Sequence, residues 1–263
     1  MTLSRATGAI TRATGAIISH RGGSFLWPEN TLVAFRNSLA LPVEQAECDI
    51  HLTADGVPVV IHDALAERTT DGRGPIAAMT AAEVARLRIR GAAEVGVPTL
   101  AEVAAHFAGR RMFFRVEIKA DAAGTPYPDV VARVLAVLDG AGARDRSIII
   151  AFHAPTVAAA WAAGGLAGAA WLLEPGTLRD LGPAGAAAVA VAHGLPAAET
   201  RIDGADEAYV AAMRAAGLGC GAWGANHAAT IDRALALGLD AFATDDPALA
   251  IARRAMFRAG MTW

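Results

Sequence analysis

Short apolar runs recur along this chain, and alanine-rich stretches with helical spacing separate most of them. That alternation constrains the fold more than any other feature, because strand and helix in strict turn imply parallel strands joined by crossover helices. Strands are expected at Ala16–His20, Gln45–Leu52, Val57–His62, Met112–Ile118, Ser147–Phe152, Gly168–Leu173, Ala187–Ala192, Leu218–Trp223 and Ala241–Thr244. This is one strand too many for a closed barrel of eight. The surplus has a local cause: Thr53-Ala54-Asp55-Gly56 is a tight-turn signal, so the second and third runs form a hairpin. The expected fold is therefore an α/β (β/α)₈ TIM barrel with a β-hairpin and a small insertion after strand 2. Residues 1–15, with the repeated RATGAI, form a poorly ordered extension, residues 16–263 the barrel domain, and about 64–99 the insertion.

Composition enters where it excludes alternatives. Hydrophobic residues make up 54% of the chain and charged residues 19%, which rules out disorder. Two cysteines cannot staple a disulfide scaffold, and a net charge of −3 leaves no footprint for nucleic acid. The longest uncharged stretch, Ala154 to Leu173, has the length of a membrane span. It is mostly alanine and glycine, broken by Gly164-Gly165, and reads better as helix, stop and strand. No transmembrane segment or secretory signal is read, and Cys48 and Cys220 lie in strand runs, so a cytoplasmic protein is expected.

Polar residues cluster at the C-terminal ends of the expected strands, the face on which such barrels build active sites. Glu47 and Asp49 stand two apart on one strand and point the same way. Two close carboxylates repel unless protonated or sharing a cation, and Glu117 on another strand end makes a third. An E-x-D pair alone reads more plainly as a pair bridged to Arg21 or Lys119. Together with Glu117 it reads as a site for one divalent cation, Mg²⁺ or Ca²⁺, since the donors are hard oxygens. His20 and His62 stop two strand runs and suit an acid/base pair near neutral pH. Arg21 and Lys119 add fixed positive charge for a phosphate-like anion. His51, His106, His153, His193 and His227 have no such neighbours in the sequence.

These motifs carry a family resemblance. HRGG…WPENT (His20 to Thr31), ECDIHLTADGVPVVIHD (Glu47 to Asp63), RTTDGRG (Arg68 to Gly74) and VEIK (Val116 to Lys119) resemble the glycerophosphodiester phosphodiesterases. AWGAN (Ala222 to Asn226) and GLDAFATDDP (Gly238 to Pro247) resemble that family's closing motifs. The resemblance implies metal-dependent hydrolysis of a small-molecule glycerophosphodiester to glycerol 3-phosphate and an alcohol. It implies Glu47, Asp49 and Glu117 as metal ligands, His20 and His62 as acid and base, and Arg21 and Lys119 as phosphate contacts. Trp223 matches an aromatic wall beside the substrate, although a barrel-core tryptophan is as good a reading. Glu29 and Asn30 match a motif bracing the first loop, and Asn30 is also a candidate cap for the helix starting at Thr31. Phe25, Leu26 and Trp27 form an apolar, lipid-facing lip, which keeps a lysophospholipid substrate open. A non-catalytic phosphodiester-binding protein is the remaining alternative.

Overall fold

The computed structural model describes residues 15–92 and 96–260. The first copy of the N-terminal repeat, the start of the second and residues 93–95 of the expected insertion therefore lie outside the described residues. The strands are β1 (Ala16–Ser19), β2 (Gln45–Leu52), β3 (Pro58–Val60), β4 (Phe113–Ile118), β5 (Ser147–Ala151), β6 (Gly168–Leu173), β7 (Ala197–Arg201), β8 (Gly219–Trp223) and β9 (Ala241–Thr244). All except β3 are parallel neighbours in a ring, and pairing of β1 with both β9 and β2 closes it. The closed eight-stranded (β/α)₈ barrel is thus present. β3 runs antiparallel on β2, with Ile50 opposite Val60, through the turn read at Thr53–Gly56.

The helices are α1 (Leu32–Leu39), α2 (Ala81–Val84), α3 (Leu100–Phe107), α4 (Val130–Gly140), α5 (Ala154–Ala162), α6 (Pro175–Ala192), α7 (Glu207–Ala215), α8 (Ala228–Ala236) and α9 (Pro247–Arg258). The uncharged stretch divides as its glycines predict, into α5 and β6. Among the described residues, no helix is long and apolar enough to cross a membrane.

Parallel strands covered by helices bury both faces, and here the two faces have different chemistry. On β2, Ala46, Cys48, Ile50 and Leu52 join the main core under the helices. Gln45, Glu47, Asp49 and His51 alternate with them and are also buried. On β4, Phe114 stacks on Phe107 of α3 at 4.4 Å between ring centroids. Arg115 and Glu117 alternate with Phe114 and Val116, so the barrel interior takes the charged set. A satellite core of Val59, Ile61, Ala66, Ile76, Val84, Ile89 and Val97 fills the segment after β3.

Two elements differ from expectation. The run Ala187–Ala192 is the end of α6, and the sixth barrel strand, β7, lies five residues further on, at Ala197–Arg201. The alternation of alanine and valine imitates a strand. Alanine is nevertheless the strongest helix former, and the buried Ala186, Ala187 and Ala190 share one helical face. The helix expected from Thr80 to Leu87 ends at Val84, behind a Thr80–Glu83 capping box. Beyond it the chain extends to bridge Ile89 to Thr70 and seat Ile89 in the satellite core.

Candidate active site

The first strand ends in a sharp turn. Arg21, Gly22 and Gly23 all adopt left-handed backbone conformations, with φ of 51°, 78° and 91°. A Cβ at Gly22 would come within 2.7 Å of the Ala34 Cβ, so glycine lets this turn press against α1. The turn aims the Arg21 backbone N–H at Glu47 Oε2, 3.0 Å away. It also brings Arg21 Nε to 3.3 Å from Asp49 Oδ2. Asn30 is not the helix cap: Thr31 caps α1, accepting from the Ala34 N–H. Asn30, itself buried and left-handed at φ 59°, donates from Nδ2 to Asp49 Oδ2 at 2.8 Å. A side chain able to donate was needed inside, to hold a buried carboxylate.

Glu47, Asp49 and Glu117 each present an oxygen, and all three atoms lie within 4.8 Å of one another. Register explains this: Asp49 faces Glu117 across the β2–β4 ladder. Lys119 Nζ stands 2.5 Å from Glu117 Oε1 and 2.9 Å from Asp49 Oδ1. Burial raises the Asp49 carboxyl pKa, but Lys119 and Arg21 outweigh it and hold this group well below the ordinary range. Burial and then Asp49 push Glu47 the other way, up to about 7. Its Oε1 is buried without a hydrogen-bond partner. An unsatisfied oxygen beside two further carboxylates, with no sulfur donor in the set, fits a hard divalent cation.

The two histidines share one arrangement. His20 Nδ1 lies 2.6 Å from Asp245 Oδ1, and His62 Nδ1 lies 2.5 Å from Asp63 Oδ1. A carboxylate at Nδ1 fixes the proton there and leaves Nε2 as the working nitrogen. His20 Nε2 is 3.8 Å from Glu47 Oε2, and both rings line the same cavity. Burial lowers the pKa of both rings. At His20 the Asp245 hydrogen bond and Glu47 outweigh burial and raise it, whereas at His62 Lys119 and Arg21 add to burial and the net shift is downward.

Asp245 is a partner missed by local sequence reading. It also accepts from Ser24 Oγ at 2.5 Å and Asn226 Nδ2 at 2.5 Å, so three segments meet on it. Barrel closure was the available signal, because the end of β9 must adjoin the end of β1. His51 is a second one. It is buried, Nδ1 lies 2.8 Å from the Tyr127 hydroxyl, and Nε2 lies 3.0 Å from the His62 carbonyl. The carbonyl can only accept, so His51 donates from Nε2 and Tyr127 donates to Nδ1.

Arg68 is the third. It donates to Asp63 and to Glu29, which also accepts from Arg21 Nη1 at 3.1 Å. Burial raises the Asp63 pKa, but Arg68 and His62 outweigh it and bring it down to about 2. A carboxylate lowered in the fold stabilises above its ordinary pKa and loses that contribution as pH falls through the lowered value. Between pH 4 and pH 2 this group should therefore account for about 1–2 kcal/mol of lost stability, discounted for partial exposure. Asp63→Asn should flatten that part of the acid-denaturation curve, measured by urea unfolding at each pH. An unchanged slope would show that the Arg68 clamp contributes nothing.

All eight residues singled out from the sequence come to one end of the barrel. His20, His62, Arg21, Lys119, Trp223, Glu47 and Glu117 line a cavity of about 660 Å³, and Asp49 completes the carboxylate cluster beneath it. Trp223 meets Phe152 edge to face at 6.0 Å, and its buried Nε1 has no acceptor. At the rim Phe25 and Leu26 are 56% and 40% exposed, and Phe25 packs near His227.

Residues 20–249 match the model of the glycerophosphoryl diester phosphodiesterase family. A solved structure described as a glycerophosphoryl diester phosphodiesterase from Agrobacterium tumefaciens is 37% identical, with a TM-score of 0.90 over 94% of this chain and 100% of that one. A curated glycerophosphodiester phosphodiesterase from Caldanaerobacter subterraneus is 33% identical over 142 residues, 52% of this chain and 58% of that relative's length. The same fold, at 22% identity and a TM-score of 0.78, covers 92% of this chain and 97% of an Oleispira antarctica phosphodiesterase solved with its product sn-glycerol-3-phosphate. With a family match that spans nearly all of the described barrel, the chain belongs to the glycerophosphoryl diester phosphodiesterase family.

Proposed function

We propose that this protein hydrolyses glycerophosphodiesters to glycerol 3-phosphate and an alcohol, with one divalent cation, Mg²⁺ or Ca²⁺, held by Glu47, Asp49 and Glu117. The observation that carries this reading is the convergence of two carboxylate-held histidines, three clustered carboxylates and two cations on one cavity. A binder of phosphodiesters has no need of two histidines each held in the same tautomer. The relative solved with sn-glycerol-3-phosphate supports a small-molecule substrate.

The cation, when bound, supplies positive charge against the phosphate and lowers the pKa of an oxygen near it. Lys119 and Arg21 lie beside the carboxylate cluster and supply positive charge for the phosphate oxygens. One histidine, through Nε2, takes the proton from the glycerol hydroxyl next to the phosphate as its oxygen attacks phosphorus. The other protonates the departing alkoxide as the phosphorus–oxygen bond to it breaks. Water then opens the resulting cyclic phosphate with the two roles reversed. Asp245 and Asp63 hold the rings in the required tautomer throughout.

The test is an activity screen over glycerophosphocholine, glycerophosphoethanolamine, glycerophosphoglycerol and a lysophospholipid, with EDTA and with added Mg²⁺ or Ca²⁺. EDTA is expected to remove at least nine-tenths of the turnover and to lower the Tm, and the cation to restore both. Activity and Tm untouched by EDTA would remove the metal from the reading. Preference for the lysolipid would move the substrate toward the exposed Phe25–Leu26 lip. Binding without turnover would make the protein a phosphodiester sensor.

A further inference from the structure

The cavity is forked. A second space of about 380 Å³ opens beside the main one and shares Glu117, Lys119, Phe152 and Glu174 with it. Its outer walls are Gly124 and Pro126, on the loop after β4, and Thr156, at the start of α5. Because Lys119 borders both spaces, a phosphate seated there would direct one ester group into each.

The charges around the fork point to what enters the branch. Charged side chains lining the two spaces are paired: Arg115 with Glu199 at 2.8 Å, Arg201 with Asp203 at 3.0 Å, and Lys119 with both Glu117 and Asp49. Glu47 accepts from the Arg21 backbone, and Arg21 also meets Glu29 and Asp49. Glu174 is different. It occupies the position before α6, where a side chain commonly turns back to cap the helix, yet it makes no capping hydrogen bond. Its exposed carboxylate has no ion-pair partner among the described residues. His153, which lines the branch but not the main cavity, is turned to the Thr156 hydroxyl, with Nδ1 2.8 Å from Oγ1. Phe152 adds an aromatic ring, braced edge to face by Trp223. A free carboxylate and an aromatic wall together favour a cationic guest, through charge pairing and cation–π attraction.

Resting on the reading of the site as a glycerophosphodiesterase, we propose that the branch receives the leaving alcohol and selects one carrying an amine or quaternary ammonium, with Glu174 as its counter-ion. Its size suits a small amino alcohol rather than an acyl chain. Such a substrate is zwitterionic, its phosphate held near Lys119 and its cation near Glu174.

The experiment compares kcat/KM for glycerophosphocholine and glycerophosphoethanolamine with that for glycerophosphoglycerol, whose alcohol is neutral. Wild-type protein should favour the two cationic substrates about tenfold. Glu174→Gln should lower that ratio about three- to fivefold, as expected for loss of a partly solvated charge pair. Glu174→Lys should lower it further, mainly through KM. Glu174 is exposed, so neither change threatens the fold. Equal use of cationic and neutral substrates by the wild type, or a ratio unmoved by both substitutions, overturns the proposal while leaving the phosphodiesterase reading intact. No turnover of any of the three removes that reading and the proposal with it.

Discussion

Alanine in place of His20 or His62 is expected to lower kcat by about 10²- to 10⁴-fold, with little change in KM or Tm. Each ring is fixed through Nδ1 by its own carboxylate, Asp245 or Asp63, and each lines the cavity beside the carboxylate cluster. Neither imidazole supports the core: both are partly exposed, and their side-chain contacts are polar. The loss should therefore fall on the chemical step. Opposite pKa shifts, upward at His20 and downward at His62, suit a pair in which one ring gives a proton and the other takes one. Each single substitution should also remove one limb of the bell-shaped dependence of kcat/KM on pH. Two residues serving one proton circuit act as a unit, so the double mutant should lose far less than the product of the single effects. Single mutants retaining more than a tenth of wild-type kcat would defeat the two-histidine scheme. A large rise in KM with kcat preserved would recast the rings as substrate ligands.

The parts of this site legible in the sequence are those in which chemistry is concentrated over a few adjacent residues. Glu47-x-Asp49, His62-Asp63 and Glu117-x-Lys119 each lie on or next to one strand end, so the two-residue period of a strand was enough to group them. The barrel itself was legible for a similar reason, since eight of the nine expected runs coincide with strands of the structure. β7 matches none of them. Ala-Ala-Glu-Thr-Arg has little β-branched character, and its central Glu199 belongs inside the barrel only because Arg115 waits there from β4. Its place is set by a partner 84 residues away, not by its neighbours. The same holds for Asp245, 225 residues from His20, and for Tyr127, 76 residues from His51. Long-range partners of this kind become predictable only after strand order is known. Then the adjacency of β9 and β1 brings Asp245 and His20 together at once.

Glu199→Ala should destabilise the protein by about 3–5 kcal/mol, because it leaves a buried guanidinium without its counter-charge. Arg115 is 1% exposed, and its Nη2 donates to Glu199 Oε1 at 2.8 Å. Nη1 has a second acceptor in Gln45 at 3.0 Å, but that is a neutral amide and cannot offset the charge. Nε has no partner at all, so the guanidinium depends on Glu199 more than its two hydrogen bonds suggest. For a chain of this size the penalty corresponds to a fall in Tm of the order of 10 °C. Removing both charges should behave differently. Arg115→Met combined with Glu199→Leu replaces the pair with apolar groups of similar bulk, and should cost far less than Glu199→Ala or even stabilise. Calorimetric melting of the single and double mutants separates the two causes of instability. A double mutant as unstable as Glu199→Ala would mean that packing against Gly221, whose added Cβ would meet the Glu199 side chain at 3.0 Å, governs this layer. A single mutant within about 1 kcal/mol of wild type would mean that water from the cavity above reaches Arg115, and that the barrel floor is wetter than its 1% exposure implies.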